Sequence, residues 1–109
     1  MPARALEGRQ SAIDMMVLKA LTVEDMHGWG ISQYLQRVSH DVLRVNQGSL
    51  YPALHRLERD GFIRADWRPS ENNRRAKYYA LTAAGRRQLD VELRDWTVFA
   101  QAVQRVMQA

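Results

Sequence analysis

The segment that decides the fold is Val45–Thr82, VNQGSLYPALHRLERDGFIRADWRPSENNRRAKYYALT. It opens with a helical pattern that Asp60 and Gly61 end, since glycine suits the left-handed position after a helix. Two runs with β character follow, Phe62–Arg68 and Lys77–Leu81, and a basic turn lies between them. A helix, a strand, a basic turn and a second strand in this order are typical of a winged helix. The segment therefore predicts a nucleic-acid-binding unit, with the helix in a major groove and the hairpin tip on phosphates.

The predicted helix starts between Asn46 and Ser49, because Pro52 fits only the first turn, where its missing N–H has no partner to lose. Its buried stripe is predicted to be Leu50, Ala53, Leu54 and Leu57. The outward positions are Ser49, Pro52, His55, Arg56 and Arg59. Small polar residues at a helix N-terminus allow close approach to DNA. Asn46 and Ser49 are also typical helix caps, and a cap can contact phosphate as well.

The two β runs predict a two-stranded hairpin. Ile63, Ala65 and Trp67 share one face of the first strand, and Tyr79 with Leu81 share one face of the second. Residues 69–73 supply the turn. The basic residues Arg74, Arg75 and Lys77 then lie where the hairpin can meet phosphates. An isolated hairpin is marginal in water, so this one must pack on the helices.

Charge is concentrated in the same part of the chain. The 109 residues carry 16 Lys and Arg against 12 Asp and Glu, a net charge of +4. Between Arg64 and Arg87 there are seven basic and two acidic residues, so this stretch carries +5 and the remainder −1. Such a localised basic region indicates a polyanion partner, although a solvated surface is the alternative interpretation.

Composition excludes several classes of function. Cysteine is absent, which excludes disulfides and thiolate metal sites. No apolar run reaches the roughly 18 residues that a membrane span needs, and the N-terminus lacks the apolar core of a signal peptide. We therefore expect a soluble, cytoplasmic protein with no membrane partner, no metal and no cofactor. No catalytic motif occurs, so an enzyme is disfavoured, and the basic segment argues against a winged helix that binds only proteins.

Two further helices precede the deciding segment. Apolar residues with helical spacing predict the first from about Gln10 to Thr22, with Ser11 as its N-cap. The second follows the segment HGWG, and Ile31, Leu35 and Val38 are expected to face inward. His27 has no second ligand at metal-binding spacing, so we expect it to stabilise the turn or to pack, with a chemical role as the alternative.

The last helix is predicted to start after Thr82, a good N-cap, and to run from Ala83 to near the C-terminus. Its apolar residues have the a/d spacing of a coiled coil, namely Leu89, Leu93, Trp96, Ala100, Val103 and Met107, and Val98, Phe99 and Val106 broaden the stripe. A helix of about 26 residues is about 39 Å long, longer than the small domain beneath it. The stripe is therefore expected to pair with a second copy of the chain, and a helix folded back on its own domain is the alternative.

Taken together, the residues resemble the PadR family of bacterial transcriptional regulators. The similarity lies in HGWGI (27–31), NQGSLYPALHRLERDGFI (46–63), RRAKYYALT (74–82) and AAGRR (83–87), which span roughly two thirds of the chain. The single C-terminal helix, in place of a separate C-terminal domain, is similar to that of the smaller family members. The resemblance implies a homodimeric winged helix-turn-helix repressor, with residues 1–82 as the DNA-binding domain and residues 83–109 as the dimerisation helix.

The resemblance also implies roles for individual residues. The DNA-contacting positions would be Asn46, Gln47, Ser49, Tyr51, Pro52, His55 and Arg56 in the helix, and Arg74, Arg75, Lys77 and Tyr78 in the hairpin. Tyr51 and Tyr78 have packing roles as the alternative. The dimer interface would be Leu89, Leu93, Trp96, Phe99, Ala100, Val103 and Met107. Family members often respond to small aromatic compounds, so Trp96 is the candidate for an effector pocket, with plain core packing as the alternative.

Overall fold

The computed structural model describes residues 8–109, with side chains from residue 12 onward. Residues 1–7, which belong to the segment predicted to lack a signal peptide, are outside the described part. The elements are α1 (Gly8–Val23), β1 (Met26–His27), α2 (Gly28–Val38), α3 (Gln47–Arg59), β2 (Ile63–Pro69), β3 (Arg75–Leu81) and α4 (Ala83–Gln108). The predicted α+β fold, a winged helix-turn-helix followed by a long helix, is confirmed. None of the described helices is long and apolar enough to cross a bilayer.

Three expectations about the helices need correction. Helix α1 begins at Gly8, so Ser11 lies inside the helix and cannot be its N-cap. Pro52 is the sixth residue of α3 and lies beyond the first turn. The helix tolerates it because the carbonyl that loses its donor belongs to Gly48, which is exposed to water. Val38, expected to face inward, is 52% exposed, because it is the last residue of α2 and no other element covers it.

The sheet has three strands in the order β1-β3-β2, and not the two that were predicted. Strands β2 and β3 form the expected antiparallel hairpin, from the pair Ile63↔Leu81 at the base to Pro69↔Arg75 near the tip. The extra strand β1 pairs antiparallel with the other edge of β3, with Met26 opposite Tyr79 and His27 opposite Tyr78. The hairpin, hereafter the wing, is therefore attached to the chain that enters α2. This attachment supplies the support that an isolated hairpin lacks.

One hydrophobic core joins the helices to the base of the wing. The inward stripe of α3 is buried as predicted, with Leu50, Leu54 and Leu57 at most 3% exposed. It packs in one cluster with residues of α1, α2 and the sheet, among them Val17, Leu18, Leu21, Ile31, Leu35, Ile63 and Tyr79. Because α3 is held by this stripe, its opposite side is left for solvent or a partner.

The start of α4 docks tightly on the start of β2. Thr82 caps the helix as predicted, since its Oγ1 accepts a hydrogen bond from the Gly85 N–H at 3.0 Å and donates one to the Gly61 carbonyl at 2.8 Å. Gly61 has φ +79°, the left-handed conformation expected after α3. Gly85 is buried against the Phe62 carbonyl, and a Cβ atom there would lie 2.0 Å from that oxygen. Only glycine allows the two segments to approach so closely.

Helix α4 then leaves the domain that it starts on. Its first half packs along α1, where Leu89 joins the core and Glu92, 1% exposed, accepts a hydrogen bond from Gln88 at 3.0 Å. Beyond Val103 every residue is exposed. Val98 is exposed on the side of the helix opposite Leu93 and Val103, so it does not broaden the apolar stripe as expected.

These glycines predict two different stability losses. Gly85→Ala should lower the free energy of unfolding by about 3 kcal/mol, because the methyl group meets a backbone carbonyl that cannot move aside. Gly61→Ala is the control, since nothing lies within 4 Å of its Cβ position and only the backbone conformation is strained, at about 1 kcal/mol. Urea unfolding of both variants measures the difference. Equal losses would contradict the close docking of α4 on Phe62.

Candidate nucleic-acid interface

The N-terminal end of α3 presents several side chains to solvent. Asn46 caps the helix, and its Oδ1 accepts a hydrogen bond from the Ser49 N–H at 2.9 Å. Ser49, Pro52 and His55 are exposed on the outward side, as expected. A capped helix N-terminus carries partial positive charge and donor N–H groups, which favour an anion such as phosphate. This end of α3 can therefore approach a nucleic-acid backbone.

Two other side chains of α3 that were predicted to contact DNA form hydrogen bonds within the chain. The Gln47 Nε2 donates a hydrogen bond to the Ser32 Oγ of α2 at 2.9 Å. Arg56 was predicted to point outward, but its Nη2 lies 3.0 Å from the Asp14 Oδ1 of α1. The guanidinium of Arg56 is half-buried, and at such a position a charged hydrogen bond to a carboxylate is more favourable than contact with water. Arg56 therefore bonds to Asp14 and does not point outward. Both contacts fix α3 against its neighbouring helices.

The side chain of Tyr51 on α3 lies beside Gly28 at the start of α2. Tyr51 is 49% exposed, and a Cβ atom added to Gly28 would lie 2.9 Å from its hydroxyl. The absence of a side chain at Gly28 thus sets the position of the ring. Tyr51 both contacts α2 and presents half of its surface to solvent, so the packing role and the DNA-contacting role predicted for it are compatible.

The wing carries cations in two different states. Arg74 and Arg75 are exposed, and no acidic side chain pairs with either within the part of the chain that the structure describes. The Lys77 Nζ instead lies 3.2 Å from the Glu58 Oε1 of α3. Unpaired guanidinium groups are available to phosphates, whereas a phosphate must compete with Glu58 for Lys77. Two free guanidinium groups therefore lie at the tip of the wing.

Arg68 belongs to the basic segment of the sequence, yet its positive charge is paired with two carboxylates. Its guanidinium hydrogen-bonds Asp25 at 2.9 Å and Asp66 at 3.1 Å and lies over the Tyr78 ring, 5.2 Å from the centroid. The hydrogen bonds to Asp25 and Asp66 raise the pKa of Arg68. Tyr78 is half-buried and packs against Arg68 and His27, and its predicted contact with DNA stays a prediction.

His27 links the wing to α2 and takes the turn-stabilising role expected of it. Its Nδ1 accepts a hydrogen bond from the Gly30 N–H at 2.9 Å, which caps α2. Its Nε2 lies 3.4 Å from the Glu71 Oε1 in the turn of the wing, and its ring meets Tyr78 edge-on at 5.1 Å. The pKa of Glu71 is lowered, first by a hydrogen bond from the backbone N–H of Glu71 itself and then by the hydrogen bond with His27. This link sets the position of the wing tip.

The exposed half of α4 forms the second surface of interest. Trp96 and Phe99 pack together, with ring centroids 6.0 Å apart, and line an open depression of about 390 Å³ with Val103 and Met107. Leu93 and Val103 are exposed. Leu89, by contrast, packs against the chain's own core. Leu89 is only partly buried by this contact, so its predicted place in a dimer interface stays a prediction.

Two tryptophans that the sequence analysis did not name as functional residues are exposed near the wing. Trp29 on α2 is 60% exposed and Trp67 on β2 is 58% exposed. The sequence placed Trp67 on one face of the first strand with Ile63 and Ala65, and along that face exposure rises from buried Ile63 at the base to exposed Trp67. The feature of the sequence that could have drawn attention to Trp29 is its position between Gly28 and Gly30 at the start of a helix. No group of three or more potential metal ligands occurs among the described residues.

Comparison with known proteins identifies the family. The sequence of residues 17–91 matches the family model of the transcriptional regulator PadR-like family. The transcriptional regulator Rv3488 of Mycobacterium tuberculosis is 34% identical over 97 residues, which cover 89% of this chain and 87% of that protein.

Solved structures agree with this family in fold. A PadR-like transcriptional regulator from Bacillus cereus superimposes with a TM-score of 0.68 at 25% identity, over 88% of this chain and 91% of that one. Bacillus subtilis PadR, solved in complex with operator DNA, gives a TM-score of 0.66 at 23% identity, over 75% of this chain and 46% of that one. The family consists of transcriptional regulators and not of enzymes, which confirms both the resemblance and the expectation that this is not an enzyme. The chain belongs to the PadR-like family of transcriptional regulators.

Proposed function

We propose that this regulator is a homodimeric repressor that binds a palindromic operator in duplex DNA. The observation that carries the proposal is the combination of a capped, exposed α3 N-terminus with the unpaired cations of Arg74 and Arg75 on the wing. The helix dipole and the two guanidinium groups all favour phosphate. Bacillus subtilis PadR, which shares this fold, binds operator DNA. Residues 1–82 would bind DNA and residues 83–109 would join the two copies.

The proposed DNA contacts divide into two kinds. Ser49, Pro52 and His55 on the outward side of α3 reach the major groove, whereas Arg74 and Arg75 meet the backbone. Arg56 and Gln47 act through the position of α3, because each is bonded to another helix. Lys77 reaches DNA only by releasing Glu58.

The proposed dimer uses the exposed half of α4. Trp96, Phe99 and Val103 form an apolar surface on a helix that extends past its own domain. Two copies related by a twofold axis would cover these residues with each other, as an isologous interface requires. The depression beside Trp96 would lie in that interface, and a small aromatic effector bound there would release the protein from DNA.

Steep salt dependence is the first expected property. Six or more phosphate contacts per dimer should give a plot of log K against log salt with a slope of about −5 or steeper, because each contact releases counterions from the duplex. Fluorescence anisotropy of a labelled duplex across a salt series measures the slope. A flat slope, or no binding at low salt, would remove the repressor proposal.

The wing and the helix should respond differently to substitution. Arg75→Ala should weaken binding to operator and random DNA alike, because a phosphate contact carries no sequence information, and should reduce the salt slope by about one unit per lost contact, about two per dimer. His55→Ala should instead reduce discrimination between the two by about 1–3 kcal/mol. The operator for the assay comes from selection of bound genomic fragments. Lys19→Ala, which removes one exposed charge from α1, is the control. Equal losses of discrimination from Arg75→Ala and His55→Ala would contradict the assignment.

The dimer proposal is tested on α4. Leu93→Asp should give monomers with weak, non-specific DNA affinity, because it places a charge in the apolar interface. Val98→Asp is the matched control, since Val98 is also an exposed apolar residue of α4 but lies on the opposite side. Sedimentation velocity distinguishes the two outcomes. A Leu93→Asp protein that remains dimeric would mean that the copies join elsewhere.

A further inference from the structure

Three exposed aromatic rings surround one groove between the wing and the helices. Trp29 of α2 is 60% exposed, Trp67 of β2 is 58% exposed and Tyr51 of α3 is 49% exposed. The groove has a volume of about 430 Å³, and Lys77 and Tyr79 of β3 also line it. Single exposed apolar residues are common on proteins, but several large rings from different elements around one groove indicate a binding surface.

The groove is also positively charged at its rim. Arg74 and Arg75, which have no acidic partner among the described residues, line it at the wing tip. Glu71 is the acidic residue among the described residues that line it, and its carboxylate is engaged by His27. Lys77 is paired with Glu58. Two unpaired guanidinium groups therefore remain beside the three aromatic rings.

We propose that this groove holds the sugar–phosphate backbone of one operator strand, with Trp29 and Trp67 packed against its deoxyribose rings. A DNA backbone alternates an apolar sugar with an anionic phosphate, and the groove offers rings and guanidinium groups close together to match them. Each indole also carries an Nε1–H that can donate to a phosphate oxygen. Tyr51 extends the aromatic surface from the groove to the N-terminal end of α3. This inference rests on the proposed function and assigns two DNA-contacting residues beyond it.

Duplex DNA is favoured over an unpaired base as the occupant. The bases of a duplex are stacked inside it, so only sugars and phosphates reach a groove that lies between the wing and α3. Contacts of this kind carry no sequence information. Trp29 and Trp67 should therefore support binding to operator and random DNA equally, unlike His55.

The chain has three tryptophans, which allows a direct test. Phenylalanine substitutions in pairs leave one tryptophan in each of three proteins, namely Trp29, Trp67 or Trp96 alone. Acrylamide quenching of each protein, free and saturated with duplex, reports the accessibility of that indole. We expect DNA to protect Trp29 and Trp67 from acrylamide. Trp96, on the exposed half of α4, is the internal reference and should keep the same accessibility.

The outcomes distinguish the groove assignment from the repressor proposal on which it rests. If duplex binds with the expected salt slope but Trp29 or Trp67 stays as accessible as in the free protein, the groove assignment is overturned and the repressor proposal stands. If none of the proteins, including the unsubstituted chain, binds duplex, both are overturned. Protection of both indoles supports the groove assignment.

Affinity measurements give an independent readout. Trp29→Ala and Trp67→Ala should each raise Kd about tenfold for operator and random DNA alike, from the loss of buried ring surface. The salt slope should stay unchanged, because an indole neutralises no phosphate. Trp29→Phe and Trp67→Phe keep a ring and should retain most of the affinity. Val23→Ala, which shortens an exposed apolar residue of α1 outside the groove, is the control. A tenfold loss confined to the operator would mean that the rings contact bases and would overturn the backbone assignment.

Discussion

His27 is the residue on which the arrangement of the wing depends. One ring nitrogen caps α2, the other contacts Glu71 in the wing, and the ring packs on Tyr78. The same residue forms half of strand β1, which pairs with β3. A hairpin of two strands has little stability by itself, so its orientation comes from these contacts. The groove between the wing and the helices has a defined shape because His27 holds one of its walls.

Polar contacts between elements determine which side chains of α3 stay available to a partner. The apolar stripe of α3 holds the helix to the core but permits small rotations about the helix axis. Hydrogen bonds from Gln47 to Ser32 and from Arg56 to Asp14 restrict that rotation, because they are directional. The side chains that remain outward, Ser49 and His55, are consequently presented in a fixed direction. In our proposal the bonded residues position the helix and the outward residues contact DNA.

Helix α4 shows how length limits what a small domain can bury. Its first half packs along α1 and encloses Glu92, while everything beyond Val103 is exposed. A domain with one core cannot cover a helix of 26 residues from end to end. The apolar residues of the second half therefore require another cover, for which we propose a second copy of the chain. The close contact of Gly85 with Phe62 sets the direction in which this helix leaves the domain.

The sequence by itself determined the four helices, the hairpin and their order, because helix caps, turn residues and apolar spacing act over a few neighbouring residues. Asn46, Thr82 and Gly61 took the cap and turn positions expected of them. The resemblance to PadR regulators was readable for the same reason, since its motifs are contiguous.

Only the tertiary structure decided which side chains were taken up by partners distant in the chain. Strand β1 has two residues and exists through its pairing with β3, so no local pattern announces it. Arg56 and Asp14 are 42 residues apart in the sequence, and Arg68 of the wing pairs with Asp25, 43 residues away and outside the wing. The exposure of Trp29 and Trp67 likewise depends on how far the helices extend beneath the wing. Such contacts are set by the packing of whole elements, which spacing within any one element does not encode.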